Sequence, residues 1–322
     1  CVELGEETEV AMMLYPLKFK PQLLPKVWGS ESWEVSCYGE YVSEVENGQL
    51  AGDSLQDLLE TYMADLVGDS VYEIYGNRFP LLAKFIDAQD DLSVQVHPDD
   101  ETAYDRHREL GKTEMWYVVD AEEGGSLTLG FSRETDMDEL QEALEQHRVM
   151  DLLQRVPVKR GDVIFLPAGT VHAINRGVKV AEIQESSDIT YRIYDYERPG
   201  LDGRLRPLHI EDAIEVIDYT VNEQPKVQYE PLELGAVNLI KDPHFTTNLL
   251  CFNRVIERDY APLDSFVIYM CVEGEATIEA AECNEPPLHI GKGESVLIPA
   301  CLNDIRLTPI SPTKFLEIYV GA

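Results

Sequence analysis

Three short stretches place side chains able to hold a metal ion and move a proton: QVHPDD from Gln95, GKTEMWYVV from Gly111 and GDVIFLPAGTVHAI from Gly161. Successive side chains of a strand point to opposite faces, so Gln95 and His97 share a face with Ser93 behind them, and Val94 and Val96 point the other way. Glu114 opens an apolar run rich in β-branched and aromatic residues, and His172 follows the run VIFLP, which is closed by the turn Pro167–Gly169. Gln95, His97, Glu114 and His172 together offer an amide oxygen, two imidazoles and a carboxylate. That set suits a divalent ion with a coordination position left open for substrate. Taken singly, each histidine is more often a core or surface residue; it is the pairing on strands, with a carboxylate between them, that points to metal. From residue types alone two other readings stay open. One is the two-histidine, one-carboxylate triad of a non-haem iron oxygenase. The other is a non-catalytic binding or regulatory barrel that keeps the pocket.

The elements that must carry these residues read as mainly β. From Leu14 short β-rich pieces are broken by Pro21, Pro25 and Gly29. Behind Asp53-Ser54, apolar residues Leu55, Leu58, Leu59, Met63 and Leu66 recur at helical spacing up to Gly68, which predicts an amphipathic helix. FPLLAKFIDAQDDLSVQVHP reads as two strands about a polar bend, Asp99–Arg108 as a short helix or an excursion before Gly111, and EMWYVVDAEEGGSLTLGF as a hairpin turning at Gly124-Gly125. Thr135–Arg155 is helical by pattern, with Met137, Leu140, Leu144, Leu152 and Leu153 on one side. VAEIQESSDITYRIYDY returns to β alternation, and a loop and short helix follow Arg198. From about Leu232 the pattern is strand, turn, strand to the end.

An internal repeat is present: GDVIFLP from Gly161 and GESVLIP from Gly293 match in spacing and apolar pattern. Five residues beyond each proline stand His172 in the first copy and Asp304 in the second, so the second copy keeps the fold and lacks the ligand. The expected organisation is therefore a disordered extension over residues 1–13, an N-terminal catalytic domain with helices over 14–230, and a metal-free β domain over 231–322.

The 322 residues carry 60 Asp and Glu against 26 Lys and Arg, a formal charge of −34, which argues against nucleic acid or an anionic membrane surface as partner. A small phosphorylated substrate stays possible, because it responds to the cations lining its pocket more than to screened surface charge. No apolar run approaches the roughly 20 residues of a membrane span, and the start lacks the layout of a signal peptide. Cytoplasmic residence is the expectation, and the six scattered cysteines fit reduced thiols.

Gly161, Pro167, Gly169 and His172 fill the positions of the second cupin motif. With KVWG from Lys26, ESWEVS from Glu31, RFPLLAKFIDA from Arg78, SVQVHPDD from Ser93, GKTEMWYV from Gly111, GTVHAI from Gly169 and SDITYRIYDYER from Ser187, the chain resembles the type I mannose-6-phosphate isomerases in their short bacterial form. The resemblance runs from about Leu14 to the C-terminus. It implies a bicupin, two jelly-roll-like antiparallel β-barrels with a few peripheral α-helices, working as a monomer or homodimer. It also implies one zinc ion (Zn2+) per chain on His97, Glu114 and His172, with Gln95 at the position of a fourth ligand. By the same resemblance Arg192 corresponds to the catalytic arginine and Glu182 to an active-site glutamate. Lys84, Ser93 and Lys112 match residues that line the substrate pocket. Gly111 stands where longer relatives carry a histidine, so a proton-transfer role for that group has no counterpart here.

The implied reaction moves a proton between C1 and C2 of mannose 6-phosphate and fructose 6-phosphate through a cis-enediol. It needs a base, an acid and a way to stabilise the enediolate oxygen, the last being what a Lewis-acidic metal supplies. For Arg192 the alternatives are a barrel-wall cation paired with Asp188 or Asp195, and a guanidinium holding the enediolate or relaying its proton. Glu182 either orients Arg192 or acts as the base, and Lys112 belongs with the catalytic group. Lys84 is a charge within an apolar strand, costly unless it faces a polar cavity. The five remaining histidines, His107, His147, His209, His244 and His289, lie outside these motifs and read as structural.

Overall fold

The structure, a computed structural model, describes residues 13–230 and 232–321. The disorder expected for residues 1–13 falls, apart from Met13, outside the described residues.

Four antiparallel sheets stack face to face. The first contains, in spatial order, strands Leu153–Pro157, Ser126–Phe131, His172–Ile174, Val94–Val96 and Tyr191–Tyr194; the second contains Val163–Leu166, Glu114–Ala121, Val178–Glu185, Leu81–Ala88, Gly29–Val35 and Gln22–Lys26. The third holds Leu17–Lys18, Ser295–Ile298, Val267–Glu273, Thr313–Tyr319, Thr246–Phe252 and Gly235–Lys241, and the fourth Ile256–Asp259, Asp304–Pro309, Glu275–Ala280 and Leu288–Gly291. The first pair of sheets forms the N-terminal sandwich and the second pair the C-terminal one. Leu17 and Lys18 are an exception to chain order, since they pair with Leu297 and Val296 in the C-terminal unit.

The central strands of the second and third sheets are buried on both faces, which is why they read as continuous apolar runs. In Val267–Glu273, Ile268, Met270 and Val272 turn to the core between the two sandwiches, while Val267, Tyr269 and Cys271 turn into the C-terminal sandwich. Met115 and Tyr117 likewise join the shared core, and Trp116 and Val118 fill the N-terminal sandwich. The helix Leu55–Val67 seals the seam: Leu55, Leu58, Leu59 and Leu66 sit in the shared core. Its N-terminus carries a capping box, Ser54 with Asp57, which satisfies two backbone donors that a helix start leaves open.

Three local expectations are corrected. Met63 leaves the apolar stripe and is exposed, because the helix kinks there at φ +47°. The helix predicted over Thr135–Arg155 ends at Glu145; His147 takes a left-handed φ of +54°, a single 3-10 turn follows at Val149–Asp151, and Leu153 already begins a strand. The turn at Gly124-Gly125 does not close a hairpin. Glu114–Ala121 is bracketed by Val163–Leu166 and Val178–Glu185 in one sheet, and Ser126–Phe131 by its own two neighbours in the other, so the turn carries the chain across the sandwich.

The five described cysteines are free thiols, and no helix among the described residues is long and apolar enough to cross a membrane.

Candidate metal centre and substrate pocket

Register assembles the site. Across the first sheet, Leu129, His172, Gln95 and Arg192 stand opposite one another on four neighbouring strands. Across the second, Trp33, Lys84, Glu182, Trp116 and Ile164 form a second row. Residues opposite one another in an antiparallel pair project to the same face, so the polar members of both rows face each other inside the N-terminal sandwich.

At one end of this space His97, Glu114 and His172 converge, with ligand atoms all within 4.8 Å of one another and every side chain buried. Glu114 Oε1 lies 3.1 Å from His172 Nε2 and Oε2 lies 3.7 Å from His97 Nε2. Each imidazole is held from behind: His97 Nδ1 is 2.8 Å from the Ile189 carbonyl and His172 Nδ1 is 2.8 Å from the Thr170 carbonyl. A carbonyl only accepts, so both Nδ1 atoms carry the proton, and both Nε2 lone pairs are turned toward the cluster, as metal-ligating histidines require. Neither oxygen of Glu114 accepts a hydrogen bond despite complete burial. The Lys112 ammonium lies 3.2 Å from Oε2 without a well-aligned hydrogen bond, and a cation between the three side chains would satisfy the remaining carboxylate and imidazole lone pairs. The residues therefore fit a divalent metal. Burial opposes the charge of Glu114, but the Lys112 ammonium leads the influences that outweigh it and hold the carboxyl well below its ordinary range. His97 is kept neutral, chiefly by burial and by the Lys112 ammonium.

Gly169 makes this end possible. Its N–H donates to the His97 carbonyl at 2.9 Å, its φ is +89°, and a Cβ there would meet the Val216 carbonyl oxygen at 2.8 Å. Only glycine combines that backbone conformation with that close approach.

Beside the cluster opens a cavity of about 250 Å³, whose wall includes Gln95, Lys112, Trp116, Glu182, Ser93 and Arg192. His97, Glu114 and His172 lie just behind the wall, touched by Lys112, whose ammonium is 3.2 Å from both Glu114 Oε2 and His97 Nε2, and by Gln95, whose amide nitrogen is 3.4 Å from His172 Nε2. The lining holds five cations, Lys26, Lys84, Lys112, Arg192 and Arg206, against the three carboxylates Glu31, Glu182 and Asp188. A pocket with excess positive charge in a chain of net charge −34 is matched to an anionic ligand.

Lys84 and Glu182 meet at 2.8 Å. Burial disfavours the Lys84 ammonium, but Glu182 and Glu31 outweigh it and raise its pKa above the ordinary range. Glu182 also accepts the indole N–H of Trp116 at 2.6 Å. Arg192 Nε donates to Ser93 Oγ at 3.2 Å and Nη1 to the Pro207 carbonyl at 3.1 Å, and no described carboxylate lies within ion-pair distance of it. The alternative pairing with Asp195 is excluded, because Asp195 is taken by Arg198 and Arg206. Glu182 does not touch Arg192; its charged partner is Lys84.

Sequence reasoning gave no role to Glu31, Trp116, Arg206 or His209. Glu31 accepts the Trp33 indole N–H at 2.7 Å and faces Lys84 at 3.8 Å; its alternation with Trp33 on one strand was a readable signal. His209 Nδ1 accepts the backbone N–H of Arg192 at 3.2 Å, a contact made across a loop that no periodicity reveals.

Against known proteins, a family model described as phosphomannose isomerase type I, catalytic domain, matches residues 4–129. The chain is 35% identical to the mannose-6-phosphate isomerase ManA of Bacillus subtilis over 92% of its own length and 96% of that relative's. It is 37% identical to the mannose-6-phosphate isomerase of Streptococcus mutans over 73% of this chain and 78% of the other. The crystal structure of a mannose 6-phosphate isomerase from Bacillus subtilis superposes with a TM-score of 0.83 at 27% identity, covering 95% of this chain and all of that one.

Proposed function

The chain belongs to the type I phosphomannose isomerase family and is an isomerase of that family; from this premise we propose that it interconverts mannose 6-phosphate and fructose 6-phosphate at the cavity beside His97, Glu114 and His172. The observation that carries the reading is the convergence of the buried Glu114 carboxylate with the Nε2 atoms of two imidazoles, each held from behind by a backbone carbonyl. Zinc is the proposed ion, since two imidazoles and a carboxylate with one further position suit it. When bound, it polarises the sugar oxygens on which negative charge develops. Gln95 is the proposed fourth ligand: turning its amide over presents the oxygen where the nitrogen now stands 3.4 Å from His172 Nε2.

The residues around the cavity divide the remaining work. Arg192, tied by Ser93 and Pro207 but without a carboxylate partner, presents a fixed positive charge to the reacting oxygens. Lys112 stands next to Glu114, where its ammonium faces the same charge as it develops and can hand a proton to an oxygen. Glu182, aligned by Lys84 and Trp116, is the proposed base for the proton that moves between the two carbons. Lys84 fixes that carboxylate and adds positive charge to the pocket, and Ser93 sets the angle of the Arg192 guanidinium. The C-terminal sandwich has no counterpart of this centre in its matching repeat position, where Asp304 is exposed.

An enediol pathway exposes the migrating hydrogen to exchange. Incubation of mannose 6-phosphate with the protein in heavy water, followed by mass and NMR analysis of the sugar, should give fructose 6-phosphate with deuterium at C1. Undiminished turnover by Glu182→Gln would contradict the proposed base.

A further inference from the structure

Outside the metal cluster, a second convergence of titratable side chains joins the two sandwiches. Asp100 and Glu185 belong to the N-terminal unit, His244 and Asp242 to the turn between strands Gly235–Lys241 and Thr246–Phe252 of the C-terminal unit. His244 Nε2 is 3.2 Å from Asp100 Oδ2 and 3.4 Å from Glu185 Oε1, and its Nδ1 is 2.7 Å from Asp242 Oδ1. The two N-terminal carboxylates have their other oxygens committed to one tripeptide. Asp100 Oδ1 accepts Gly111 N–H at 2.8 Å and Glu185 Oε2 accepts Thr113 N–H at 2.7 Å. Lys112 N–H donates to the Pro98 carbonyl at 3.1 Å, and the Thr113 carbonyl accepts from Glu185 N–H at 3.1 Å. Gly111 approaches so closely that a Cβ would meet Asp100 N at 2.5 Å.

This tripeptide leads directly into Glu114, and its middle residue is Lys112. We infer that His244, reaching over from the C-terminal sandwich, is a positioning residue for the metal centre: its imidazolium holds Asp100 and Glu185 together, and these two carboxylates fix the backbone that aims Glu114 and Lys112. Glu185 is buried, and burial together with the neighbouring Asp100 pushes its pKa up to about 7 against the pull of His244 and the Thr113 N–H, so loss of the cation leaves its charge least tolerable. The groups facing His244 are Asp100, Glu185 and Asp242, with Tyr75 beyond the first two. Hydrogen bonding to Asp100 leads the influences that raise the His244 pKa to about 9, and in turn pushes Asp100 down to about 2. The C-terminal sandwich thus contributes to the site without lining it.

The inference rests on Glu114 being a metal ligand, and the test separates the two. Metal affinity is measured by chelator competition with zinc on the full chain, alongside kcat and KM for mannose 6-phosphate, for the wild type, Glu114→Ala, His244→Ala and the double variant His244→Ala/Glu185→Gln. His289→Ala, on an exposed strand of the C-terminal unit, serves as control. Glu114→Ala should abolish tight zinc binding. His244→Ala should weaken it by about 10-fold or more and lower kcat rather than raise KM, the usual scale for a group that orients a ligand. His289→Ala should do neither. In the double variant a neutral amide replaces the uncompensated carboxylate and still accepts Thr113 N–H, so most of the loss should be recovered. If His244→Ala fails to fold, His244→Gln, which keeps a donor toward Asp100 and loses the charge, carries the same expectation. Wild-type affinity and kcat in the His244 variants, with zinc lost in Glu114→Ala, would overturn the inference and leave the metal site standing. Unchanged zinc binding in Glu114→Ala would overturn both.

Discussion

Lys84 and Glu182 stand directly opposite each other on neighbouring antiparallel strands, and their charged ends meet at 2.8 Å with side-chain exposures of 3% and 4%. An ion pair this deep is held in place by its further partners, the Trp116 indole on one side and Glu31 on the other.

Removing one member leaves the other buried and unpaired. Lys84→Met should therefore destabilise the protein by about 3–5 kcal/mol, read as a lowered midpoint in urea with unchanged slope. Lys84→Met/Glu182→Gln should recover much of that stability while remaining inactive. Recovery of activity along with stability would show that the pair is scaffolding only.

Arg192 tests the site from the other sheet. Arg192→Lys keeps a charge but loses the planar fork that spans Ser93 and the Pro207 carbonyl, and Arg192→Ala removes both. Both variants should retain the metal, and kcat should fall by about 10²–10³ in the alanine variant, the scale for loss of a donor aimed at developing charge. A change in KM alone would place Arg192 in ground-state binding instead.

Glu34 lies on strand Gly29–Val35, buried on the side away from the cavity, and burial pushes its pKa up to about 7 from 4.5. An acid whose folded pKa is raised contributes stability below its unfolded pKa, and loses it as pH rises through the folded value. Glu34→Gln keeps the acceptor for Ser32 Oγ–H and has no charge to bury. The difference in unfolding free energy between the variant and the wild type should grow from near zero at pH 4 to roughly 3 kcal/mol in favour of the variant at pH 8. A difference independent of pH would mean that the carboxyl is solvated.

Much of this architecture was legible in the sequence because its signals are periodic. The alternation in SVQVHP put Ser93, Gln95 and His97 on one face; Ser93 and Gln95 line the cavity and His97 belongs to the cluster just behind it. The repeat ending at Pro167 and Pro299 gave both sandwiches, because the same strand and turn recur in each. What periodicity does not encode is the partner of a strand. EMWYVV and SLTLGF alternate as a hairpin would, yet a strand buried on both faces pairs equally well with distant segments, and the four residues between the strand ends Ala121 and Ser126 span two sheets. The helix over Thr135–Arg155 was overread because Leu152 and Leu153 extend an apolar stripe that the left-handed His147 has already broken. His209 and His244 read as structural for the same reason: their significance comes from contacts with Arg192 and with Asp100 and Glu185, each more than ten residues away in the chain.

The central claim is that His97, Glu114 and His172 hold the ion on which isomerisation depends. The direct measurement is the formation of fructose 6-phosphate from mannose 6-phosphate by protein as purified, after exhaustive chelation, and after zinc is restored, with metal content determined in each state. One zinc per chain is expected at full activity, with a fall of at least about 100-fold on chelation, since several kcal/mol of charge stabilisation are removed. Activity should return in proportion to zinc bound. Undiminished turnover by metal-free protein, or zinc bound without any isomerisation, would contradict it.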